Sequence, residues 1–344
     1  MRVAVVWTEP TELNLSVKRD LQNNSREAIE SLLEALHESG HEALLCEADD
    51  GILAKLEQFM PLDPQGRPSG IVFNRAYGNK GEWRSSQVPI LLEMSGIPYT
   101  GPSPLGAALE LDKVITKKLM RADGIPTPNF RVMNQGTESS GDLRFPLVVK
   151  PRHESDSLGL HLVNDTRGLR QAVQTIVADY AQDALVEEYI EGREFCVALL
   201  GNEELEVLPP TEIDFGSRET RLITSEDKLQ KAVTPPQIIC PAQIETKLMT
   251  MLQDISVATF RACLGRDYAR LDVRVDQSGQ PFVLEINFSP SLSKVSTYVR
   301  AATIGGYSYL NLVNRILDLA HTRYFGGPMP KADHESKRVR SLPP

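Results

Sequence analysis

The apolar residues of the first hundred positions follow two different spacings. Short apolar runs at residues 3–7, 41–46 and 70–73 are typical of buried strands. Between the first two runs, apolar residues recur three and four positions apart over residues 28–36, which is the spacing of one helix face, and Asn24 stands before them as a candidate N-cap. This order of strand, helix and strand predicts an α/β domain with a parallel sheet.

The pattern becomes mixed further along the chain. Residues 105–123 have helical spacing and are followed by GIPTP, which ends a helix. The segment FPLVVKPRHESDSLGLHLV, residues 145–163, predicts two strands joined by a polar loop. The rest predicts, in chain order, a helix at 167–180, strands at 184–190 and 194–200, an irregular charged stretch at 212–231, a helix at 243–263, strands at 268–275 and 281–287, and a closing helix at 309–319. The predicted fold class is therefore α/β followed by α+β modules.

Length bounds the number of domains. The chain has 344 residues, which at about 150 per domain predicts two or three domains. No apolar run approaches the roughly 20 residues that a membrane-spanning helix needs. The opening segment MRVAVVWTEP lacks a small-residue cleavage site, so we interpret it as the first strand and expect a cytoplasmic protein that does not contact a membrane. The polar tail KADHESKRVRSLPP is expected to be disordered.

Charge and cysteine content exclude several classes of protein. The chain has 37 basic and 46 acidic residues and a net charge of -9, which argues against a nucleic-acid partner because such proteins need a basic face. A bound anion would have to be met by a local group of basic side chains. The 4 cysteines include no CxxC pair, which fits buried thiols better than a disulfide framework or a zinc ribbon.

The strongest candidate for chemistry lies on two neighbouring predicted strands, the first of which reads RLDVRVD. Because side chains alternate along a strand, Arg270 and Asp272 share a face of this strand, and Glu285 and Asn287 share a face of the next. Magnesium prefers oxygen ligands and usually takes one or two protein carboxylates together with phosphate oxygens, so the set fits a magnesium nucleotide better than zinc. A nearby arginine can stabilise a phosphoryl group in transfer. The alternative is a hairpin whose outward face is merely charged.

Three weaker signals lie upstream. Lys113, in ELDKVITKK, and Lys150, at the end of an apolar strand, carry ammonium groups of the kind that contact phosphates. The phosphate loop, ESDSLG at residues 154–159, has small residues whose backbone N–H groups can cover phosphates. Glu187 and Glu194 are candidate hydrogen-bond acceptors. Taken singly, each signal has an ordinary alternative: a solvated or snorkelling lysine, a hairpin turn, or a charged linker.

Together, the order and spacing of these four motifs resemble the ATP-grasp superfamily, specifically its D-alanine–D-alanine ligase branch. The resemblance runs from IPYTGP to the closing helix near Leu319, about two thirds of the chain. It implies a three-domain ATP-grasp fold, α/β and α+β, with a Rossmann-like N-terminal domain and with ATP held between the central and C-terminal domains. The implied boundaries are 1–102 for the N-terminal domain, 103–190 for the central domain, 191–326 for the C-terminal domain and 327–344 for the tail.

The resemblance also implies, position by position, how the nucleotide and the metal are held. The phosphates of ATP would be contacted by Lys113 and Lys150 and covered by Ser157 of the phosphate loop. Adenine would be contacted by Glu187 and by the backbone of Glu188, Tyr189 and Ile190. Ribose would be bound by Glu194. The implied ligands of magnesium, or of manganese in its place, are Asp272, Glu285 and Asn287.

Roles in the reaction follow from the same resemblance. In the family, a carboxylate attacks the γ-phosphate and an amine then displaces phosphate from the acyl phosphate. Arg270 matches the arginine that steadies the phosphorylated intermediate. Ser291 would offer a backbone N–H to the oxyanion, and Ser296 matches a serine that binds the carboxylate of the incoming amino acid. Lys150 is expected to take part in catalysis as well as in binding.

Four segments depart from the family's pattern. The glutamate that holds the first D-alanine has no counterpart in TEPTELNLSVKRD, and FNRAYGNKGEWR replaces a His-Gly-rich segment. The paired serines of the phosphate loop become Asp156 and Ser157, and DFGSRETRLITSEDK lacks the lysine-tyrosine pair of the closing loop. In the family, the glutamate, the first serine and the tyrosine form one hydrogen-bonded set. Their joint absence predicts retained nucleotide chemistry and a rebuilt first-substrate site.

Basic residues in the replaced segments are candidates for substrate recognition: Arg75, Arg84, Arg218, Arg221 and Lys228. Because arginine binds carboxylates through two parallel hydrogen bonds, they indicate an acidic or carboxylate-bearing acceptor, and the alternative is exposed loop charge. A ligase of the same branch in the biosynthesis of mycosporine-like amino acids joins an amino acid to a bulky mycosporine. Such an acceptor would explain the altered site.

The resulting prediction is an ATP- and magnesium-dependent carbon–nitrogen ligase that joins an amino acid to a carboxyl- or oxo-bearing small molecule. The alternatives are a genuine D-alanine–D-alanine ligase, a phosphotransferase on the same fold, and a nucleotide-binding module without turnover. The complete set of arginine, two carboxylates and asparagine argues against the last, because a module that only binds has less need of a complete metal site. The resemblance makes a homodimer the expected assembly.

Overall fold

A computed structural model describes residues 1–8, 26–78, 81–223, 227, 234–327 and 329. Within these ranges the strands form three sheets, and helices cover them. No helix of the described part is both long and apolar enough to cross a membrane. All four cysteines are free thiols and three of them are buried. The predictions for Asn24 and Lys228, and for residues 330–344 of the tail, fall outside the described residues.

The first sheet is parallel and has the strand order β2-β1-β3. Its elements are β1 (Arg2–Trp7), α1 (Arg26–Glu38), β2 (Glu42–Glu47), α2 (Ile52–Phe59), β3 (Gly70–Arg75) and α3 (Arg84–Met94). Alternate residues of β1 serve opposite faces: Val3 and Val5 pack on the side of α1, whereas Ala4 and Val6 pack on the side of α2. The predicted βαβ layer is confirmed.

The predicted helix over residues 105–123 is wrong in one respect, because the structure contains two helices there. They are α4 (Pro104–Leu111) and α5 (Lys113–Ala122), separated at Asp112. The Asp112 carboxylate accepts hydrogen bonds from the backbone N–H groups of Val114 at 3.0 Å and Ile115 at 3.1 Å. Asp112 therefore caps a new helix, and Lys113 stands at its first position.

The second sheet is antiparallel, with the order β4-β7-β5-β6. Its elements are β4 (Phe130–Met133), β5 (Leu147–Pro151), β6 (His161–Val163), α6 (Thr166–Tyr180) and β7 (Ala184–Glu188). The apolar face of α6, including Leu169, Val173 and Ile176, packs on the sheet. The predicted strand–loop–strand segment is confirmed as β5 and β6, and the phosphate loop connects them.

The third sheet has the order β11-β10-β8-β12-β13, with β9 paired to β8. Its elements are β8 (Gly192–Gly201), β9 (Leu205–Val207), β10 (Thr211–Asp214), β11 (Gln237–Ile239), α7 (Thr246–Ala262), β12 (Tyr268–Asp276), β13 (Pro281–Asn287), α8 (Thr297–Ile304) and α9 (Tyr309–Phe325). The pattern at residues 212–231 predicts irregular chain, but its first residues belong to β10. Helix α8 was not predicted.

The first and third sheets share one hydrophobic core. Val5 and Leu32 of the N-terminal layer belong to the same buried cluster as Leu312 and Ile316 of α9. At the edge of this cluster, His41 Nε2 lies 2.9 Å from the Oδ1 atom of Asn314. The mixed α/β and α+β fold class is confirmed, and the domain boundaries 1–102, 103–190 and 191–326 stay predictions.

The shared core predicts a large difference between two Ile→Ala substitutions on neighbouring helices. Ile316 is 0% exposed and Ile304 is 49% exposed. We expect Ile316→Ala to lower the free energy of unfolding by about 2–5 kcal/mol, since it leaves a cavity, and Ile304→Ala to lower it by less than about 1 kcal/mol. Urea unfolding followed by circular dichroism measures both. Equal effects would contradict the shared core.

Candidate active site

A cleft of about 830 Å³ runs between the phosphate loop and the β12–β13 hairpin. It is also lined by residues from the N-terminal layer, including Tyr77 and the start of α1. The predicted site residues that line it are Arg84, Lys113, Lys150, Ser157, Glu194, Arg270, Asp272, Glu285, Asn287, Ser291 and Ser296. Motifs far apart in the sequence therefore meet in one cavity.

The register of the β12–β13 hairpin brings the predicted metal ligands together. Asp272 pairs with Glu285, and Arg270 pairs with Asn287. The Asn287 Nδ2 atom lies 3.5 Å from Asp272 Oδ2. Two carboxylates and an amide thus converge at the cleft wall, and such an oxygen set fits magnesium that also binds phosphate oxygens.

Arg270 supplies the positive charge beside these carboxylates. Its Nε and one Nη each donate to an oxygen of Asp272 at 2.8 Å, which is a bidentate ion pair along one strand. Burial on its own would lower the pKa of the Arg270 guanidinium, but the charge of Asp272, its hydrogen bonds with Arg270 and the other nearby acidic groups together raise this pKa. Arg270 is therefore a permanent cation at the metal end of the cleft.

Behind the opposite wall, Glu187 lies between two lysines. Its Oε1 is 2.6 Å from Lys150 Nζ, and its Oε2 is 2.9 Å from Lys117 Nζ. Burial would raise the pKa of Glu187, but both ammonium charges lower it. Glu187 does not line the cleft, whereas Lys150 does. The Glu187 carboxylate therefore holds Lys150 in place, and the predicted contact between Glu187 and adenine stays a prediction.

Lys117 was missed by the sequence analysis. It is 1% exposed, and its ammonium also donates to Thr127 Oγ1 at 2.8 Å. Burial, which outweighs the attraction of Glu187, lowers the pKa of Lys117 to about 8. The available signal was its position four residues after Lys113, on the same face of a helix.

The phosphate loop is held at its base by polar contacts. The Lys113 ammonium donates to the carbonyl oxygen of Glu154. The Glu154 carboxylate accepts from Gln182 Nε2 at 2.8 Å and from Arg84 at 3.4 Å. Glu154 is 6% exposed and was also missed, because a glutamate in a polar loop gives no sign of burial.

Three residues of this loop have positive φ. Asp156 and Ser157 have φ values of 55° and 58°, which is unfavourable for residues other than glycine. At Gly159, with φ 63°, an added Cβ would lie 2.9 Å from Pro151 Cγ and from the ring of Tyr180. Glycine is therefore required where the loop returns to the sheet.

The predicted adenine end is formed differently from expectation. The Glu188 side chain pairs with Arg144 at 3.0 Å and accepts from Asn129 at 3.0 Å. The backbone N–H groups of Glu188 and Tyr189 donate to carbonyl oxygens at 2.9 and 3.1 Å. Neither these two residues nor Ile190 lines the cleft. Their predicted adenine contacts stay predictions.

Arg274 holds Glu194, the residue predicted to bind ribose, and was not assigned a role from the sequence. It is 1% exposed, and one Nη lies 3.3 Å from the Glu194 carboxylate. The other Nη donates to Tyr189 Oη at 3.2 Å, and the guanidinium lies 4.6 Å from the centre of the Tyr189 ring. Glu194 therefore lines the cleft with its carboxylate fixed from behind.

Ser291 and Ser296 lie together at the start of α8. The Ser296 hydroxyl accepts from Val299 N–H at 3.2 Å, which makes it the N-cap, and it donates to the Ser291 carbonyl oxygen at 2.7 Å. The N-terminal end of a helix favours negative charge. Both serines line the cleft, so this corner suits a carboxylate.

Of the arginines predicted to bind substrate, Arg84 lines the cleft, and Arg75 and Arg221 do not. Arg75 is 2% exposed at the end of β3, donates to Tyr268 Oη at 2.9 Å, and is not part of the lining. Arg221 has an exposed side chain outside the lining, and its carbonyl oxygen accepts from Arg274 at 2.7 Å. Arg218, which is also outside the lining, pairs with Asp227 at 2.6 Å. The Arg75 side chain is thus enclosed and that of Arg221 is exposed outside the cleft, and their predicted contacts with substrate stay predictions.

Comparison with known proteins shows consistent similarities. The protein family described as "D-ala D-ala ligase C-terminus" matches residues 119–318, more than half of the chain. An uncharacterized protein, y4sG, of Sinorhizobium fredii is 62% identical over 297 residues, covering 86% of this chain and 88% of that protein. D-alanine–D-alanine ligase B of Pseudomonas putida is 32% identical over 319 residues, 92% of each chain.

A solved structure has the same fold. The D-alanine–D-alanine ligase of Bacillus anthracis complexed with ATP superimposes with a TM-score of 0.74. The match covers 94% of this chain and 98% of that one at 22% identity. At this identity the likeness establishes the fold.

The lowered pKa of Lys117 predicts a stability that depends on pH. Between pH 8 and the ordinary lysine value of 10.5, the unfolded chain binds a proton that folded Lys117 has released, so stability rises with pH in this window. When the pH is raised from 7.5 to 10, the unfolding free energy of the wild type should therefore increase relative to that of Lys117→Met, by up to about 3 kcal/mol. Urea unfolding at pH 7.5 and pH 10 measures it.

Lys118→Met provides the matched control, because Lys118 is the exposed neighbour on the same helix. Its difference from wild type should be the same at both pH values. A Lys117→Met difference that is also independent of pH would contradict the depressed pKa.

Proposed function

Because the chain belongs to the D-alanine–D-alanine ligase family of the ATP-grasp superfamily, we propose that it is an ATP- and magnesium-dependent ligase that forms a carbon–nitrogen bond. One observation carries this proposal: the lysines of the phosphate side and the carboxylates of the metal side face the same cleft. A polyanion with a divalent cation is the ligand that such opposed walls fit.

The phosphate side is formed by Lys113, Lys150 and the phosphate loop. Ser157 lines the cleft within that loop, and Glu194 lines it at the end proposed for ribose. Glu187 positions Lys150 through their ion pair, since an ammonium held at 2.6 Å keeps one orientation. Adenine recognition by residues 187–190 is proposed from the family pattern.

Asp272, Glu285 and Asn287 are the proposed ligands of magnesium, or of manganese in its place. Bound magnesium would neutralise phosphate charge, and bound ATP would supply the phosphoryl group that makes a carboxylate or oxo oxygen of the acceptor a good leaving group. Arg270 lies next to these ligands and would offset the negative charge of a phosphorylated substrate.

The second substrate is proposed to bind at the start of α8. Ser296 and the helix N-terminus would hold the carboxylate of an amino acid, so that its amine faces the activated carbon. The backbone N–H of Ser291 would donate to the oxyanion that forms when the amine attacks. In this way the chain's own groups orient both reactants and stabilise charge.

The finer proposal concerns the first substrate. We propose that it is a mycosporine, to which the enzyme joins an amino acid. The support is the altered set of residues where the family holds the first D-alanine, together with Arg84 in the cleft. A genuine D-alanine–D-alanine ligase is the main alternative, since several relatives of 28–34% identity bear that name. A phosphotransferase is the second. Cytoplasmic location and a homodimer remain predictions.

The metal assignment predicts the effect of Glu285→Gln. The change removes a charged oxygen ligand while keeping the side-chain size, so ADP formation should fall by about 100-fold or more with an unchanged circular dichroism spectrum. Glu57→Gln, an exposed position on α2, is the control and should keep full turnover. Unchanged ADP release by Glu285→Gln would remove the metal argument.

A substrate comparison separates the finer alternatives. The enzyme is incubated with ATP and magnesium, and ADP and products are followed by a coupled assay and mass spectrometry. A mycosporine with serine or threonine should give ADP and an adduct, and the absence of an adduct would sink the mycosporine proposal. D-alanine alone giving ADP and dipeptide would favour the first alternative. A stable phosphorylated product without any amine would favour the second.

A further inference from the structure

A second pocket lies behind the phosphate loop. It has a volume of about 420 Å³, shares no lining residue with the cleft, and is named here the rear pocket. The lining residues that carry its chemistry are Glu82, Trp83, Arg152, His153, Gln182 and Asp183. Nothing in the proposed reaction uses it.

His153 is buried in the rear pocket with unmet hydrogen-bonding capacity. It is 5% exposed, and neither ring nitrogen makes a hydrogen bond within the described residues. Nε2 lies 3.5 Å from an Asp112 oxygen, beyond ordinary hydrogen-bond length, and Nδ1 has no partner within the described residues. Both Asp112 oxygens already pair with Arg152, at 2.8 and 2.6 Å. Buried ring nitrogens without a hydrogen-bond partner indicate a ligand that supplies one.

The other walls suit a ligand that has a positively charged group attached to an apolar group. Trp83 is 48% exposed, and its ring meets the His153 ring edge to face at a centroid distance of 5.5 Å. Glu82 and Asp183 add two carboxylates. Arg152 pairs with Asp112 at 2.6 Å and also lies 3.7 Å from Asp183, so the three acidic residues of this region outnumber the one arginine. An ammonium group would therefore meet negative charge, an imidazole ring with unpartnered nitrogens and an aromatic face together.

The rear pocket is one residue away from the phosphate loop. Gln182 accepts from the backbone N–H of His153 at 2.9 Å and donates to the Glu154 carboxylate at 2.8 Å. On the cleft side, Arg84 follows Trp83 in the chain and donates to the His153 carbonyl oxygen at 3.1 Å. An occupant that contacts Trp83 and His153 is thus one hydrogen bond or one peptide bond away from Arg84 and Glu154.

We propose that the rear pocket binds a small organic cation, namely a primary ammonium group attached to an aromatic or aliphatic group. We propose further that its binding changes the affinity of the cleft for nucleotide through the phosphate loop. The binding half is independent of the proposed function, because it concerns residues outside the cleft. The second half rests on nucleotide binding in the cleft.

Phenethylamine is the probe for the binding half, with 2-phenylethanol and 3-phenylpropanoate as the neutral and anionic comparisons. Isothermal titration with the full chain should detect phenethylamine and neither comparison compound. Excitation of tryptophan offers a second readout, since Trp7 is 4% exposed and Trp83 is the exposed one of the two. A saturable fluorescence change is expected in the wild type and should disappear in Trp83→Phe.

Matched variants locate the binding. The double variant Glu82→Gln/Asp183→Asn and the variant Trp83→Ala should each weaken phenethylamine binding by about tenfold or more, since each removes one kind of attraction to the ammonium. Glu57→Gln should leave it unchanged. Equal binding of the neutral alcohol, or wild-type affinity in both pocket variants, would overturn the proposal. These side chains are exposed at the pocket mouth, so folding is not expected to suffer.

The effect on the loop is measured as the dissociation constant of a non-hydrolysable ATP analogue with and without saturating phenethylamine. A shift of about threefold or more is expected in the wild type and none in Trp83→Ala. An unchanged constant in the wild type would overturn the second half of the proposal. If the analogue does not bind at all, the proposed function fails, while the titration with phenethylamine still decides the site itself.

Discussion

The charge of Glu187 is the constraint on which the phosphate side of the cleft depends. Its oxygens lie 2.6 and 2.9 Å from two buried ammonium groups. Removing one partner of a buried ion pair leaves an uncompensated charge, which is strongly destabilising. Together the three residues carry one net positive charge, and Lys150 is the member that presents it to the cleft. A chain with a net charge of -9 thereby offers a cationic wall at one place.

The metal side is built on the same principle with the opposite sign. Two carboxylates face each other across the β12–β13 pair, and Arg270 compensates one of them through a bidentate contact. The excess charge of this wall is negative. Opposed walls of unlike sign select a ligand that is anionic on one side and cationic on the other, which is how a metal-bound polyphosphate is charged.

Much of the chemistry could be predicted because strand alternation and composition are local properties. The pattern assigned residues 281–287 to a strand, and the structure has β13 over the same residues. The pattern does not fix the register of a hairpin, since a slip of two residues leaves each side chain on its own face. The facing of Asp272 and Glu285 therefore became known only from the structure.

The residues that were missed or misplaced share a different cause. Lys117 and Arg274 are charged and buried, and each is stabilised by partners from other elements. Arg75 was predicted to contact substrate, with exposed loop charge as the alternative, but it is enclosed and meets Tyr268 from a strand almost two hundred positions away. Likewise, Asp112 ends one helix and starts the next with the help of Arg152. Long-range partners of this kind leave no periodic signal in the sequence.

The three sheets are held together by two different kinds of contact. The first and third sheets are joined by one apolar cluster, whereas the second sheet has a cluster of its own with α6. Separating the first two would expose apolar surface, whereas displacing the second sheet would break polar contacts such as Arg84 with Glu154 and the buried pair of Lys117 with Glu187. The attachment of the second sheet is therefore mainly electrostatic, whereas the attachment between the other two sheets is apolar.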